Sequence, residues 1–424
     1  MTFNIKKLIC TLLCFCLVLC CACKADTVSP DKEASVTQKG QARPTTPQVV
    51  DDQDINGSKG IEDELTQEEL NRAWSYSFLN EQEQRIYRIM LNMVRHLSEG
   101  WIDMGYISGD VSTTVAKAYR ALCNDFPEYY WMPASYYITV NSNNVTLAFK
   151  RNHAEDGYGF TKTDIENNKE DFDDAVQRII ERTEKASSDF EKEVIIHDIL
   201  CKTAQYDSEF DWDDANTVYS AYGALVNGRA VCEGYARAFK LLCQYAGIEC
   251  ILVTGESKGV GHMWNMVKLE GNWYHVDVTW DDLRAEPHHT YLNLTEIDIL
   301  ADHDIDATYS NTPSNLTAQG NSYNFSVPEA TNSSMNFFIK KELMLSDTPI
   351  EDFTKEIIAK YNSGEYRAEL MFSNNAVAED FKENYETYVV KIQDSCVKEM
   401  GKLRLKITAI SFPADTCVIY FEKV

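Results

Sequence analysis

The stretch from Tyr219 to Asp282 constrains this chain more than any other, because it sets a cysteine, a histidine and an aspartate on three successive elements. After the turn Asn227-Gly228-Arg229, apolar residues recur at Ala236, Phe239, Leu242, Cys243 and Ala246 until Gly247 ends the pattern. That period predicts a helix of about four turns that starts at Cys232. Unpaired backbone N–H groups and the positive end of the helix dipole favour an anion there, so a thiol at this point is biased toward the attacking thiolate.

A strand over Cys250–Thr254 follows, then Gly255 to Gly261 reads as a mobile loop, then two alternating runs meet at Glu270-Gly271. With those two residues as a hairpin loop, Leu269 pairs with Asn272 and His262 falls opposite Thr279. Asp277 then lies diagonally across from His262 on the same face. A histidine oriented by an aspartate needs only the helix N-terminus packed on that face to complete a Cys–His–Asp constellation. Taken singly, a helical Cys, a strand His and a strand-end Asp are ordinary structural residues. Their joint order is what points to chemistry.

The segments AVCEGYARAF around Cys232, GHMWNMV around His262 and GNWYHVDVTWDD around Asp277 resemble, in order and spacing, the transglutaminase-like superfamily. The resemblance covers roughly Asp171 to Tyr309, including the helix FEKEVIIHDILCKTAQYD. It implies an α+β, papain-like cysteine-enzyme core over residues 171–312, with no cofactor. The activity implied is that of a cysteine protease or amidase, or of a protein-glutamine transferase, acting on protein or peptide amides through a thioester. Cys232 would be the nucleophile, His262 the proton carrier and Asp277 the group that holds the imidazole's tautomer. The backbone N–H of Cys232 suits an oxyanion donor, and Tyr222 is a candidate second donor by position. Transfer to an amine requires a dry tunnel that lets the acceptor outcompete water at about 55 M. The short, polar Glu256–Gly261 segment reads as a rim instead, so hydrolysis is favoured. The alternative is a catalytically inactive binding or scaffold module at the cell surface or cell wall.

The chain has 424 residues, 44% of them hydrophobic, enough for two or three packed domains. A formal charge of -26 speaks against nucleic acid as a partner, and none is expected. In residues 1–23, Lys6 and Lys7 precede an apolar run from Leu8 to Leu19 that is short for a membrane span, the pattern of a secretion signal. Ala22-Cys23 resembles a bacterial lipoprotein cleavage site, which makes Cys23 the lipid-carrying first residue. The expected location is the bacterial cell surface, with the membrane contacted through that anchor. Residues 24–60 have the composition of a disordered tether.

Residues 61–160 read as a small α+β segment. Thr66 with Glu69 and Asn80 with Glu83 resemble capping boxes, Ser112–Cys123 is a helix, and Tyr136–Val140 with Val145–Phe149 is a hairpin. The aromatic cluster of Tyr129, Tyr130, Trp131, Tyr136 and Tyr137 offers a candidate binding face but at hairpin spacing reads as ordinary packing. Ser188 with Glu191 predicts a further capping box, and His197 reads as a structural hydrogen-bonding residue. Residues 335–424 read as a C-terminal α/β sandwich, with helices over Pro349–Tyr361 and Val377–Val397 and strands over Glu365–Phe372, Leu403–Ile410 and Thr416–Phe421. Beyond the signal stand Cys123, Cys201, Cys232, Cys243, Cys250, Cys396 and Cys417, an odd set that fits either one free thiol with six that export permits to pair, in no pairing the spacing fixes, or seven buried thiols. His288, His289, Asp302, His303 and Asp304 invite a metal reading, but loop-like sequence supplies no convergent geometry, and no metal is expected.

Overall fold

Thr66 and Asn80 start the first two helices as their spacing to Glu69 and Glu83 requires, each with both reciprocal capping bonds formed. These helices are α1 (Gln67–Arg72) and α2 (Glu81–Arg95) in the computed structural model of the chain. The structure describes residues 48–49, 57–133, 136–149, 160–207, 215–282, 287–305, 325–401, 405–411 and 416–423. The signal segment, Cys23 and most of the tether lie outside these. The chain forms two units, the first made of Met1–Met266, Val278–Pro287 and Leu300–Pro328, the second of Val267–Asp277, His288–Ile299 and Glu329–Val424. The fold is α+β.

In the first unit, α2 and α3 (Val111–Asp125) share a core with one face of a five-stranded sheet of order β1-β4-β5-β3-β2. Its strands are β1 (Gln48–Val49), β2 (Ser58–Lys59), β3 (Ile102–Tyr106), β4 (Tyr136–Asn141) and β5 (Asn144–Phe149). The apolar stripe of α2, Ile86, Tyr87, Met90, Leu91 and Val94, is buried there, and Leu97, next in the period, lies half-buried beyond the helix end. Ser142 and Asn143 both have positive φ, 47° and 68°, which closes β4 onto β5 through a two-residue turn of the primed type. Composition assigns β1 and β2 to the tether, yet they pair in parallel with β4 and β3. Open sheet edges offer unpaired backbone groups, and short segments satisfy them whatever their side chains.

Further along this unit, α4 (Lys162–Thr183) precedes α5 (Asp189–Thr203). The Ser188 hydroxyl caps α5 as expected, but the Glu191 carboxylate turns to the N–H and hydroxyl of Ser187 instead of closing a box on Ser188. The short strand β6 (Gln205–Tyr206) pairs in parallel with β7 (Arg229–Ala230), and α6 (Cys232–Tyr245) follows. It ends where Gly247 takes φ +83°. Next comes β8 (Glu249–Ser257), then β9 (Val260–Leu269), which continues past Met266 into the second unit. The mobile loop expected over Gly255 to Gly261 is absent. Both strands run through it and turn tightly on Lys258 and Gly259, with φ 53° and 77°.

The second unit continues with the turn Glu270-Gly271, again with two positive φ values (48° and 83°), and with β10 (Asn272–Val276). The two-residue turn is as expected, but the register does not reach Thr279. A bulge at His275/Val276 disturbs the pairing of β10 with its neighbour, the Asp277 N–H donates to the Tyr291 carbonyl, and Val278–Asp281 coils into a helical turn, α7. The neighbour is β11 (Leu292–Leu294). Back in the first unit, β12 (His303–Ile305) pairs antiparallel with β8.

The C-terminal part of the second unit is a four-stranded sheet of order β13-β14-β16-β15, from β13 (Met344–Leu345), β14 (Arg367–Phe372), β15 (Leu405–Ser411) and β16 (Thr416–Lys423). Against it pack α8 (Pro349–Ser363), α9 (Asn375–Glu383) and α10 (Tyr385–Met400). One long helix was expected over Val377–Val397. The chain breaks it at Asn384, whose side chain donates back to the Asp380 carbonyl and carboxylate, the local competition that makes Asn a poor residue for a helix interior. Among the described residues all seven cysteines are free thiols and buried, and no helix is long and apolar enough to cross a membrane.

Candidate active site

Cys232 is the first residue of α6, preceded by Val231, which offers no side-chain cap to the helix N-terminus. Gly234 lets this turn press against the preceding chain. A Cβ there would lie 2.4 Å from the Val218 carbonyl oxygen and 2.8 Å from the Ala230 Cβ. Two cations on the same helix reach back to the end of α3. Lys240 Nζ donates to the Asn124 carbonyl at 2.6 Å, and Arg237 donates to the Cys123 carbonyl while its Nε and Nη2 hold the Glu233 carboxylate. Unpaired carbonyls at a helix C-terminus attract such donors, and each bond to a charged group is worth about 1.5–3 kcal/mol. Burial lowers the pKa of Lys240 despite the nearby Asp125, and burial raises that of Asp125 to about 6 despite Lys240 and the N–H groups of Ser75 and Tyr76. The N-terminal segment thus clasps the helix that carries Cys232.

Met263 and Leu252 pack on Ala236, and the Asn265 amide donates to the Ala236 carbonyl at 2.9 Å. Alternation along β9 therefore turns Met263 and Asn265 to the body of α6, and His262 with Trp264 to the other face. The body of α6 thus lies on the face opposite His262, while the expectation concerned only its N-terminus. On its face, half-buried His262 meets the rings of Trp264 (6.0 Å), His303 (5.4 Å) and Trp280 (6.4 Å). Trp280 belongs to α7, and the residue after that turn, Asp282, accepts a hydrogen bond from Tyr235 in the first turn of α6. One short turn therefore borders both the strand of His262 and the helix end that carries Cys232.

Asp277 immediately precedes this turn and is 1% exposed, while Cys232 is 7% exposed. Tyr222 stands inside an aromatic cluster, with ring centroids 4.8 Å from Tyr130, 5.6 Å from Phe160 and 6.1 Å from Phe172. Burial and, less strongly, Asp171 raise its phenol above the ordinary range.

His303, read in the sequence as part of a loop-like stretch, and Trp280 are neighbours of His262 that the sequence did not assign to the site. His303 arrives because Gly255, in β8, allows β12 to come close. A Cβ there would meet the Asp304 carbonyl oxygen at 1.9 Å and Trp264 at 2.9 Å. His303 Nδ1 bonds Asp302 at 2.6 Å. Asp304 follows His303 in β12. In the second unit His289 bonds Glu369 at 2.9 Å and stacks on Phe337 at 3.8 Å. Burial alone would raise the Glu369 carboxyl, but His289 and Arg367 hold it at about 2.

Residues 175–278 match the family model of the Transglutaminase-like superfamily, a span that holds Cys232, His262 and Asp277. This stretch is a transglutaminase-like domain. Kyphoscoliosis peptidase of Mus musculus is 34% identical over 109 residues, 23% of this chain and 16% of that protein. The Lim and transglutaminase domain protein ltd-1 of Caenorhabditis elegans is 32% identical over 82 residues, 16% of this chain and 11% of that protein. The chain thus spans under a fifth of the length of either relative. A solved TGase aligns at 17% identity and a TM-score of 0.24 over 35% of this chain and 51% of that one, too loosely to carry an argument.

A second set of Cys, His and Asp lies on α5 and α7. His197 Nε2 is 3.1 Å from Asp281 and 3.9 Å from the Cys201 sulfur. This thiol sits near the C-terminal end of α5, the negative end of the dipole, and burial pushes it up to about 11 in spite of His197. Cys201 is thus a buried structural cysteine within a helix, whereas Cys232 stands at the first position of α6.

Proposed function

We propose that this chain is an exported, lipid-anchored cysteine enzyme that acts on protein or peptide amides. Cys232 attacks the carbonyl, His262 takes the thiol proton and returns it to the leaving amine, and Asp277 holds the imidazole's tautomer. The carbonyl oxygen, as it gains charge, is received by the Cys232 N–H at the helix start. The observation that carries this reading is α7, which meets His262 through Trp280, meets the first turn of α6 through Asp282, and follows Asp277 directly in the chain. The hydroxyl of Tyr222 remains a proposed second oxyanion donor, although its ring is accounted for by aromatic packing.

Hydrolysis is the proposed outcome in preference to transfer. Half-buried His262 is open to water. Lys258, at the tip of the β8–β9 turn, holds its ammonium 4.2 Å from the Trp280 ring, and that charge opposes the approach of a cationic amine. The name of the mouse relative, a peptidase, points the same way. A peptide library incubated with the protein and excess fluorescent primary amine should give an acyl adduct on Cys232 and mainly free acid, both read by mass spectrometry. A predominance of amine adducts overturns the hydrolytic assignment.

One observation favours a binding or scaffold module instead, the 7% exposure of Cys232. The two readings part on thiol labelling. An active site labels at Cys232 with iodoacetamide near neutral pH far faster than at the other six cysteines, and a binding module does not.

For export, intact-mass analysis of protein from membranes should show a chain starting at Cys23 with an acylated N-terminus. An unmodified terminus rejects the anchor.

A further inference from the structure

The His197 imidazole is fully buried, with carboxylates on both ring nitrogens, Asp198 at 3.1 Å from Nδ1 and Asp281 at 3.1 Å from Nε2. Carboxylates only accept hydrogen bonds, so a ring placed between two of them donates from both nitrogens and is an imidazolium. Burial alone would discharge it, but Cys201, Asp198 and Asp281 together raise its pKa well above the ordinary value. A fully buried charged pair is a weak source of net stability, since desolvation offsets most of the attraction, but its geometry is exacting.

What the pair holds is α7. Asp281 is its last residue and is 0% exposed. The Cys201 thiol reaches the carbonyl of Val278, its first residue, at 3.8 Å. Just beyond the turn, Asp282 accepts the Tyr235 hydroxyl. Helices α5 and α6 thus grip this short turn at both ends, and four residues cannot hold a helical conformation by themselves. The residue covalently joined to its start is Asp277.

We propose that the His197–Asp281 pair positions Asp277, by fixing the turn from which that carboxylate extends. This rests on Asp277 acting upon His262 as argued above. His197 touches no reacting atom in this scheme and works through the backbone of residues 278–281.

The test measures the rate of iodoacetamide alkylation at Cys232 against pH, by peptide mass spectrometry of the full chain, in wild type and in Asp281→Asn, Asp277→Asn and His262→Ala. Loss of the anion that supports the His262 imidazolium moves the alkylation midpoint to higher pH, on the order of one unit for Asp277→Asn. Asp281→Asn should move it the same way by a smaller amount. A merely structural role for Asp281 lowers the melting temperature and leaves the profile at wild type, and that result overturns the proposal. Should Asp281→Asn not fold, Asp198→Asn loosens the His197 imidazolium from a partly exposed position and should shift the midpoint in the same direction. No shift there overturns the proposal equally. If His262→Ala leaves the wild-type profile unchanged, the catalytic reading itself fails and takes this proposal with it. That failure is distinct from one in which His262→Ala and Asp277→Asn shift the profile and Asp281→Asn does not.

Discussion

Cys232→Ala is expected to abolish amide turnover, with a loss of about a million-fold, the scale seen when a covalent nucleophile is removed and only binding and oxyanion contacts remain. The loss in stability should be small, about 1 kcal/mol, because one buried sulfur atom is deleted from the end of a helix that Gly234, Arg237 and Lys240 hold by other contacts. The two effects are read independently, turnover by mass spectrometry of peptide products and stability by thermal melting followed by circular dichroism. A folded Cys232→Ala protein that still turns over substrate at the wild-type rate would remove the mechanism. Unchanged ligand binding, with no turnover in either protein, would instead establish the scaffold reading.

Asp277→Asn is expected to produce the second-largest effect, a fall in turnover of about ten-thousand-fold. The amide has nearly the shape of the carboxylate, but it can donate a proton toward the imidazole and so stabilise the tautomer that cannot accept the thiol's proton. It also withdraws the negative charge that favours the imidazolium. Asp277 is 1% exposed and its N–H bonds the Tyr291 carbonyl, an interaction of the backbone that the substitution leaves in place. Melting temperature should therefore change little. Turnover within tenfold of wild type would mean that Asp277 is a turn residue and that His262 is oriented by another group, with His303 and its partner Asp302 as the first place to look.

Much of the local structure was legible because it depends on residues close in the chain. The capping pairs at Thr66 and Asn80, the hairpin turns at Ser142-Asn143 and Glu270-Gly271, and the span of α6 all follow from short-range hydrogen bonding and backbone sterics. The misreadings share a cause. Gly255 to Gly261 has the composition of a loop, yet Gly255 is glycine because β12 passes against it and not because the chain must flex there. The long helix expected over Val377–Val397 follows from periodicity, but one asparagine breaks it by bonding its own backbone neighbourhood.

The sequence by itself determined the chemistry on offer. It set a cysteine at a helix start, a histidine and an aspartate near one hairpin, and a transglutaminase-like order joining them, since residue type and spacing carry that information. Only the tertiary structure decided which contacts surround those groups. It turned Asn265 and Met263 toward the body of α6 and His262 toward Trp280 and His303, and it seated Arg237 and Lys240 on the end of α3, more than a hundred residues away in the chain. It also buried His197 between two carboxylates, one its neighbour in the chain and the other 84 residues distant. Contacts across such separations depend on how helices and strands pack, and packing is a property of the whole set of surfaces, which no local pattern encodes.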